Sequence, residues 1–504
     1  MTNSKYITTN KTIKYLDIKE KGFAFSANKF KFLNISNKNN TQLKGFLDRD
    51  LNNETDLGEE VGSINYIYES PNEFLRTKAL FDEDFLPKLY SQSSIPIKPS
   101  IFKDMKLKRD DLIISKDGNI GSSAILDQDY PKHMLSGAIY RLPVSNNKLY
   151  LFAFLKHPMF REQLDYIVPK GASLRHAKQD FLKCVIPLPK KNKEKTIHYI
   201  ETLVRAIINK EKSINKKHKE ILFKIDEEIR TNQKGNVFEY KHPSINELSK
   251  HSRLDSGFSG IGYKALHFPI TNYANGFKKL TSQGLEMIPG PSLELKIIEK
   301  RVDSNYYIEG YYRLITPKII KNQGVTTRDM FIGTPKEIPT LKYGDILFGE
   351  SGTGRTMVFL DNDNFTINNA HAHILRPKEC TLAKAIFIRC VMQYYKEIGL
   401  IDHLTVGGSG GHLSPSYFDR IFIPEFKDAK INEISNLYSQ PNVLLNKDNS
   451  KFEDFLDLDN YYNDLSGVYE LDKSCKYFKK ILNSALDKII DGKEIKLSFP
   501  DYFA

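Results

Sequence analysis

The sequence predicts an α+β fold. In it one strand-rich unit with curved sheets occurs twice, and two long antiparallel, coiled-coil-like helices separate the copies. Three observations predict it. Blocks of sequence recur in the same order, a long stretch free of Pro and Gly carries a heptad seam, and a second seam of like spacing lies near the C-terminus. The expected limits are 1–189 for the first unit, 190–234 for a central helix, 235–426 for the second unit, and 427–504 for a connector and C-terminal helix.

The repeats come first, because a missed repeat misreads the whole fold. LKRDDLIISKDGNIGSSAIL (107–126) faces LKYGDILFGESGTGRTMVFL (341–360), so that Asp111 meets Asp345 and Gly118 meets Gly352 at an offset of 234. AIYRLPV (138–144) faces HAHILRPK (371–378), with Pro143 on Pro377. PKGASLRHAKQDFLKCVIPLP (169–189) faces TVGGSGGHLSPSYFDRIFIPEF (405–426), with Phe181 on Phe418 and Pro187 on Pro424 at an offset of 237. A weaker pair lies upstream, GFAFSANKFKFL (22–33) against SRLDSGFSGIGYKAL (252–266). The short apolar runs Asp-Leu-Ile-Ile-Ser and Asp-Ile-Leu-Phe-Gly, bounded by Gly, Asp and Asn, read as buried strands and turns. Ala153 to Tyr166 and Leu382 to Tyr395 repeat apolar residues at three and four and read as helices; Pro158 interrupts the first.

After the first copy the period changes. Ile197, Ile200, Val204, Ile207, Ile214, Ile221 and Ile225 fill an alternating 3/4 series that Glu211, His218 and Glu228 break. Such a seam belongs to a helix that packs on a partner helix. At about 35 residues the helix is about 50 Å long. The partner is Leu471, Cys475, Phe478, Leu482, Ala485 and Ile489, at the same spacing. LDLDNYYNDLSG (456–467) reads as a connector leading into it.

Composition narrows the function. The chain has 74 Lys and Arg against 62 Asp and Glu, a net charge of +12. That balance favours polyanion partners without specifying a fold. Four cysteines, at 184, 380, 390 and 475, form no CxxC pair, so neither a disulfide framework nor a Cys-based zinc site is expected. The start MTNSKYITTNKTIKY has no apolar core of a signal peptide. No apolar run approaches the roughly 20 residues a membrane span needs. The expected address is the cytoplasm, with no membrane contact.

No catalytic constellation emerges. GESGTGRT (349–356) resembles a phosphate-binding loop, but Met357-Val358-Phe359-Leu360 continues it as a strand where a helix is required. His371 and His373 lack a third metal ligand, so no metal site is assigned. HExxH is absent, and so is any Pro-Pro dipeptide, hence the Asn/Asp-Pro-Pro-aromatic loop of amino-methyltransferases. No glycine-rich element for S-adenosylmethionine is found.

The informative segments are basic or polar loops carrying glycine, which lets backbone approach a ligand. VPKGASLRHAKQDF places Lys170, Ser173, Arg175, His176 and Lys178 around Gly171. GGSGGHLSPSYF places Ser409, His412 and Ser414 among four glycines. The strand turns add Lys116 and Asn119 in one copy and Ser351, Thr353, Arg355 and Thr356 in the other. These side chains offer donors to phosphate oxygens and base edges. Arg175, Arg355, His176 and His412 are candidate base readers; Lys116, Lys170 and Lys178 are candidate phosphate contacts. For each, the plainer alternative is a solvated surface residue.

At this point the chain resembles the specificity (S) subunit of type I restriction–modification systems. The residues that carry the resemblance are the openings Phe25-Ser26-Ala27 and Arg253-Leu254-Asp255, then Asp111-Leu-Ile and Asp345-Ile-Leu-Phe-Gly with their glycine turns. Each copy then closes with Phe, four residues and Ile-Pro, at Phe181 to Pro187 and Phe418 to Pro424. The resemblance implies two tandem target recognition domains, each reading half of a bipartite, asymmetric site in double-stranded DNA. It implies helices that set the gap and seat DNA adenine methyltransferase (M) subunits, with a restriction/translocase (R) subunit as a further partner in phage defence. S-adenosylmethionine, ATP and Mg belong to those partners; no cofactor is implied for this non-catalytic chain. A stand-alone DNA-binding protein, and an endonuclease or methyltransferase with an unrecognised site, are the alternatives.

Overall fold

Short apolar runs set between Asp and Gly make short, fully buried strands, and each unit has one such strand in a sheet, Leu112–Ser115 and Ile346–Gly349. The computed structural model describes residues 5–9, 12–20, 22–23, 25, 30–168, 178–251, 256–350, 354–406, 413, 415–441 and 454–499. The chain divides into two units. The first comprises Met1–Lys212, Leu445–Asp464 and Lys473–Ala504; the second comprises Ser213–Leu444 and Leu465–Asp472.

In the first unit, β1 (Ile7–Thr9) and β2 (Lys31–Leu33) pair antiparallel around α1 (Tyr15–Glu20). β3 (Asn40–Gln42) pairs with β10 (Val185–Pro187). A three-stranded sheet runs β5 (Ser94–Pro96), β4 (Glu73–Leu75), β8 (His133–Leu135), with β4 and β8 parallel. Another runs β7 (Ser123–Ile125), β6 (Leu112–Ser115), β9 (Ile139–Leu142), all antiparallel. Helices α2 (Lys148–Lys156) and α3 (Pro158–Ile167) follow. Pro158 does not kink one helix but starts the second, where its missing N–H costs nothing.

The second unit repeats this plan. It opens on α5 (Ile245–His251), α6 (Ser256–Ser259) and α7 (Ile261–Thr271). β11 (Phe277–Lys279) pairs with β20 (Phe422–Pro424) as β3 pairs with β10: Thr41 faces Ile186 and Lys278 faces Ile423, both at the offset of 237. One sheet runs β12 (Leu285–Ile288), β19 (Ala372–Pro377), β16 (Ile346–Gly349), β17 (Thr356–Val358). The other runs β13 (Val302–Ser304), β15 (Phe331–Gly333), β14 (Tyr312–Leu314), β18 (Thr366–Ile367); α8 (Leu295–Ile298) precedes it. Strand β14 is parallel to β18 just as β4 is to β8. Helices α9 (Leu382–Glu397), α10 (Leu400–Leu404) and α11 (Asp428–Tyr438) complete the unit.

Register corrects one sequence pairing. Leu112 faces Leu142, and Ile346 faces Leu375, so Pro143 and Pro377 are one residue out of step. The cause is the glycine turn, which runs from 116 to 122 in the first copy and is one residue shorter, 350 to 355, in the second. The weak upstream pair does not hold either: residues 31–33 are a strand, whereas 256–271 form α6 and α7. Ser26, Ala27, Arg253, Leu254 and Asp255 lie outside the described residues.

Helix α4 (Lys193–Thr231) gives 193–212 to the first unit and 213–231 to the second. Its first half is not a one-sided seam. Tyr199, Leu203, Ala206 and Ile208 are buried along with Ile197, Ile200, Val204 and Ile207, so the first unit's core surrounds it. There it runs antiparallel to the later part of α13 (Val468–Ile490): Asn192 meets Glu494 and Glu211 meets Lys479. Its second half buries Ile214, Ile221, Ile225 and Ile229 in the second unit's core, with Lys224 paired to Glu433 on α11 and Asp226 bonded by Tyr394 on α9.

The expected connector at 456–467 is instead largely a helix, α12 (Phe455–Leu465). Its inner face is mixed: Phe455 and Tyr462 are buried, and so are Asp459 and Asn463, which receive Lys210 Nζ from α4 at 2.6 and 2.8 Å. An ion pair within the inner face interrupts the apolar period that would mark the helix.

Candidate nucleic-acid interface

In the first unit β6 and β7 are joined by a glycine turn. Gly118 and Gly121 take φ of +68° and +81°, and a β-carbon on Gly121 would fall 2.2 Å from Leu164 Cδ1 of α3. The turn is held by Gly121 N–H to Ser115 O at 2.8 Å, Ser122 N–H to Asn119 O at 3.0 Å and Ser115 Oγ to Asp117 O at 2.7 Å. Asn119 is thereby pushed to the exposed tip. Lys116 lies half-buried at its base, its backbone N–H bonded to Ala138 and its Nζ 3.8 Å from Asp117 and 5.8 Å from the Tyr140 ring centroid.

This turn lines a cavity of about 440 Å³ together with Asp82, Glu83, Arg161, Asp165 and Val168. Arg161 donates to Asp82 at 2.6 Å, to Ser122 Oγ at 3.3 Å and to the Ile120 carbonyl. Val168 is the last described residue before the basic loop; Lys170, Ser173, Arg175 and His176 lie outside the described residues. Lys178, the first described residue after them, is exposed at φ +44°.

The second unit builds the same corner. Gly354, at φ +64°, donates to Gly349 O at 3.1 Å, and Gly349 donates to Arg355 O at 2.9 Å, closing the turn between β16 and β17. Leu413 donates its N–H to Glu350 O at 3.3 Å, which places Leu413 beside the residue that follows β16. Glu350 lies 3.5 Å from His373 Nε2, and His373 packs edge-on to Phe418. His371 is exposed in the turn before β19, while His373 is buried within that strand. Ser351, Thr353, Ser409, His412 and Ser414 lie outside the described residues.

Two expected donors are turned inward. Thr356 is fully buried, its hydroxyl directed at Arg389 O at 3.4 Å, because it starts a strand whose every residue is buried. Arg355 Nη1 donates to Lys318 O and Ile320 O at 3.2 Å each, which ties the turn to the neighbouring loop.

Sequence reasoning missed the arginines that brace β6 and β16 at the end away from the glycine turn. Asp111 accepts from Arg141 at 3.3 Å, and Asp345 accepts from Arg376 Nε and Nη2 at 2.9 and 2.8 Å. The fully buried Asp345 carboxylate raises the Arg376 pKa above its already high value. The signal was available: both repeated third strands carry an Arg just ahead of the conspicuous Pro, two residues before Pro143 and one before Pro377.

Among the described residues no group of three His, Cys, Asp or Glu side chains could hold a metal ion. Among the same residues no helix is long and apolar enough to cross a membrane.

No family model matches the sequence, and no curated protein matches it. Solved structures do. A type I restriction–modification S subunit from M. genitalium is 14% identical, covers 93% of this chain and 97% of its own, and superposes with a TM-score of 0.38. A chain from a structure of type I R-M complex assembly and conformational transition is 12% identical, with coverages of 90% and 98% and a TM-score of 0.28. The HsdS subunit from Thermoanaerobacter tengcongensis is 13% identical, with coverages of 90% and 97% and a TM-score of 0.25. These three solved structures, to which the chain is similar over 90% or more of its length, are type I restriction–modification S subunits.

Proposed function

We propose that this chain is the DNA sequence-specificity subunit of a type I restriction–modification system. The observation that carries the reading is the doubled corner: a glycine turn between matching strands, built twice with unlike side chains, in copies whose sequences each carry an unlike Gly-bearing loop further on. One copy offers KDGNIGS and KGASLRHAK, the other ESGTGRT and GGSGGHLS. A protein that recognises one symmetric object twice has no use for unlike loops. Unlike loops on like frames suit two different DNA half-sites.

Each unit reads one half-site through donors at its corner. Asn119 and the loops at 169–177 and 407–412 reach base edges, while Lys116 and Lys178 supply salt-dependent phosphate contacts. Helix α4, which contributes to both units, fixes the gap. Adenine methylation and DNA translocation belong to M and R subunits, which bring S-adenosylmethionine, ATP and Mg; a duplex-bound adenine must be flipped out of the stack into such an enzyme's pocket.

Exchanging residues 1–189 for the corresponding segment of a related chain tests this. Sequencing methylated adenines in cells carrying the exchanged chain and its M subunits should show one half of a bipartite motif replaced and the other kept. An unchanged motif, or a motif without two halves, would overturn the reading.

A further inference from the structure

Each unit carries a second duplicated feature, away from its corner. Asn65-Tyr66-Ile67-Tyr68-Glu69 and Asn305-Tyr306-Tyr307-Ile308-Glu309 contain the same five residue types and lie just before the corresponding strands β4 and β14. In each, one tyrosine packs on rings of its own unit, Tyr66 half-buried and Tyr307 62% exposed. Tyr66 sits 6.2 Å from the Phe74 ring, and Tyr307 sits 5.8 Å from Phe331 and 5.9 Å from Phe365. Each then holds a neighbouring tyrosine out in solvent: Tyr68 is 94% exposed and Tyr306 81%. Ile64, 83% exposed, and Ile308, 43% exposed, extend the apolar tips. One exposed tyrosine is unremarkable; the same tip at the same strand junction of both units points to an object met twice.

Two objects are met twice under the function proposed above, the DNA half-sites and the M subunits. Charge separates them. In a chain with 74 Lys and Arg among 504 residues, none lies from 62 to 72 or from 302 to 312, while Glu69, Asp303 and Glu309 do. In the first unit the stretch without Lys or Arg runs from 50 to 75; its Asp50, Asp56 and Glu59 are paired with Lys44, Arg49 and Lys103, and Asp303 is paired with Arg301, so the acids next to the exposed tyrosines in sequence are Glu69 and Glu309. Side chains that wedge into DNA are accompanied by Arg or Lys that neutralise phosphates. A tyrosine with a glutamate and no Lys or Arg in its own segment fits instead an apolar pocket on a protein, where tyrosine is a preferred anchor.

We propose that the two tyrosine tips are docking points for a protein partner, one copy on each unit, and that this partner is the M subunit. The inference rests on the function proposed above. It adds a contact on each recognition unit to any seat on the helices.

The test uses the full chain with the M subunit encoded beside it. Tyr68→Ala and Tyr306→Ala remove only exposed rings, so both variants should keep the fold. Each should weaken binding of one M copy about tenfold or more, and the double variant should weaken both. Affinity of the S chain alone for duplex DNA should not change. A photo-crosslinking residue at 68 and at 306 should label M at both positions. Unaltered M binding by the variants, or weaker duplex binding with M binding intact, overturns the docking role and leaves the specificity role standing. A wild-type chain that binds no M subunit overturns both.

Discussion

At the residue scale, the two buried polar groups that interrupt the α4 seam have opposite consequences. Glu211 looks like an error in the heptad, yet its carboxylate accepts the backbone N–H groups of Phe85 and Leu86 at 2.8 and 3.0 Å and pairs with Lys479 at 2.7 Å. Leucine there would perfect the pattern and strand those donors in the core. Glu211→Leu should therefore destabilise the protein by at least about 2 kcal/mol, since each orphaned buried group costs about 1–3 kcal/mol. His218 is the reverse case. It is buried with Nδ1 unpartnered, and burial together with the Arg389 charge lowers its pKa from 6.5 to about 3. Between those values the unfolded chain binds a proton that the folded chain does not, so stability falls as pH falls. The loss from this one group is about 2 kcal/mol at pH 5. His218→Leu should remove that part of the acid sensitivity and leave stability at pH 8 unchanged or higher. Urea titrations at pH 8 and pH 5 check both substitutions; equal acid sensitivity in wild type and His218→Leu would refute the assignment.

At the scale of elements, what was legible in the sequence was what apolar spacing records. The strands 112–115 and 346–349, the helix 382–397 and both long helices announce themselves because apolar side chains line their inner faces. Helix α12 did not, since Asp459 and Asn463, closed on Lys210, interrupt the apolar spacing of Phe455 and Tyr462 on its inner face. Lys210 also lies 4.7 Å from the Phe478 ring centroid, so α4, α12 and α13 meet on one ammonium group. Lys210 and Asp459 are almost wholly buried, and desolvation lowers the lysine pKa and raises the aspartate pKa. Removing one partner leaves the other charge buried and alone, at a cost of about 3–5 kcal/mol, whereas replacing both by apolar residues costs far less. Lys210→Met should fall in that range, and Lys210→Met with Asp459→Leu should recover most of the loss. A double variant no more stable than the single one would mean that the pair does not hold α12 through charge. The candidate site was legible in part for a related reason. Glycine and lysine mark loops, but nothing in a sequence says that the turn at 116–122 and the end of α3 with Val168 line one cavity. Nor does it say that Thr356 faces inward, because inward and outward hydroxyls look alike until the strand register is known.

At the scale of the whole molecule, the proposed function makes α4 a gauge, and a gauge can be lengthened. Seven residues inserted after Ile214 advance a helix by about 10 Å while returning its apolar face to within about 20° of its original direction. Each base pair adds 3.4 Å to the duplex, so the insertion should widen the gap between half-sites by about three base pairs. The two half-site sequences should not change, because neither corner is touched. A five-residue insertion adds a similar length but turns the face by more than 100°. It should break the packing of Ile221, Ile225 and Ile229 and abolish methylation. The pair separates length from mere disruption: sequencing methylated adenines in cells carrying each variant should show a wider motif for seven residues and none for five. A seven-residue variant that methylates the original motif with its original gap would mean that spacing is set elsewhere than in α4.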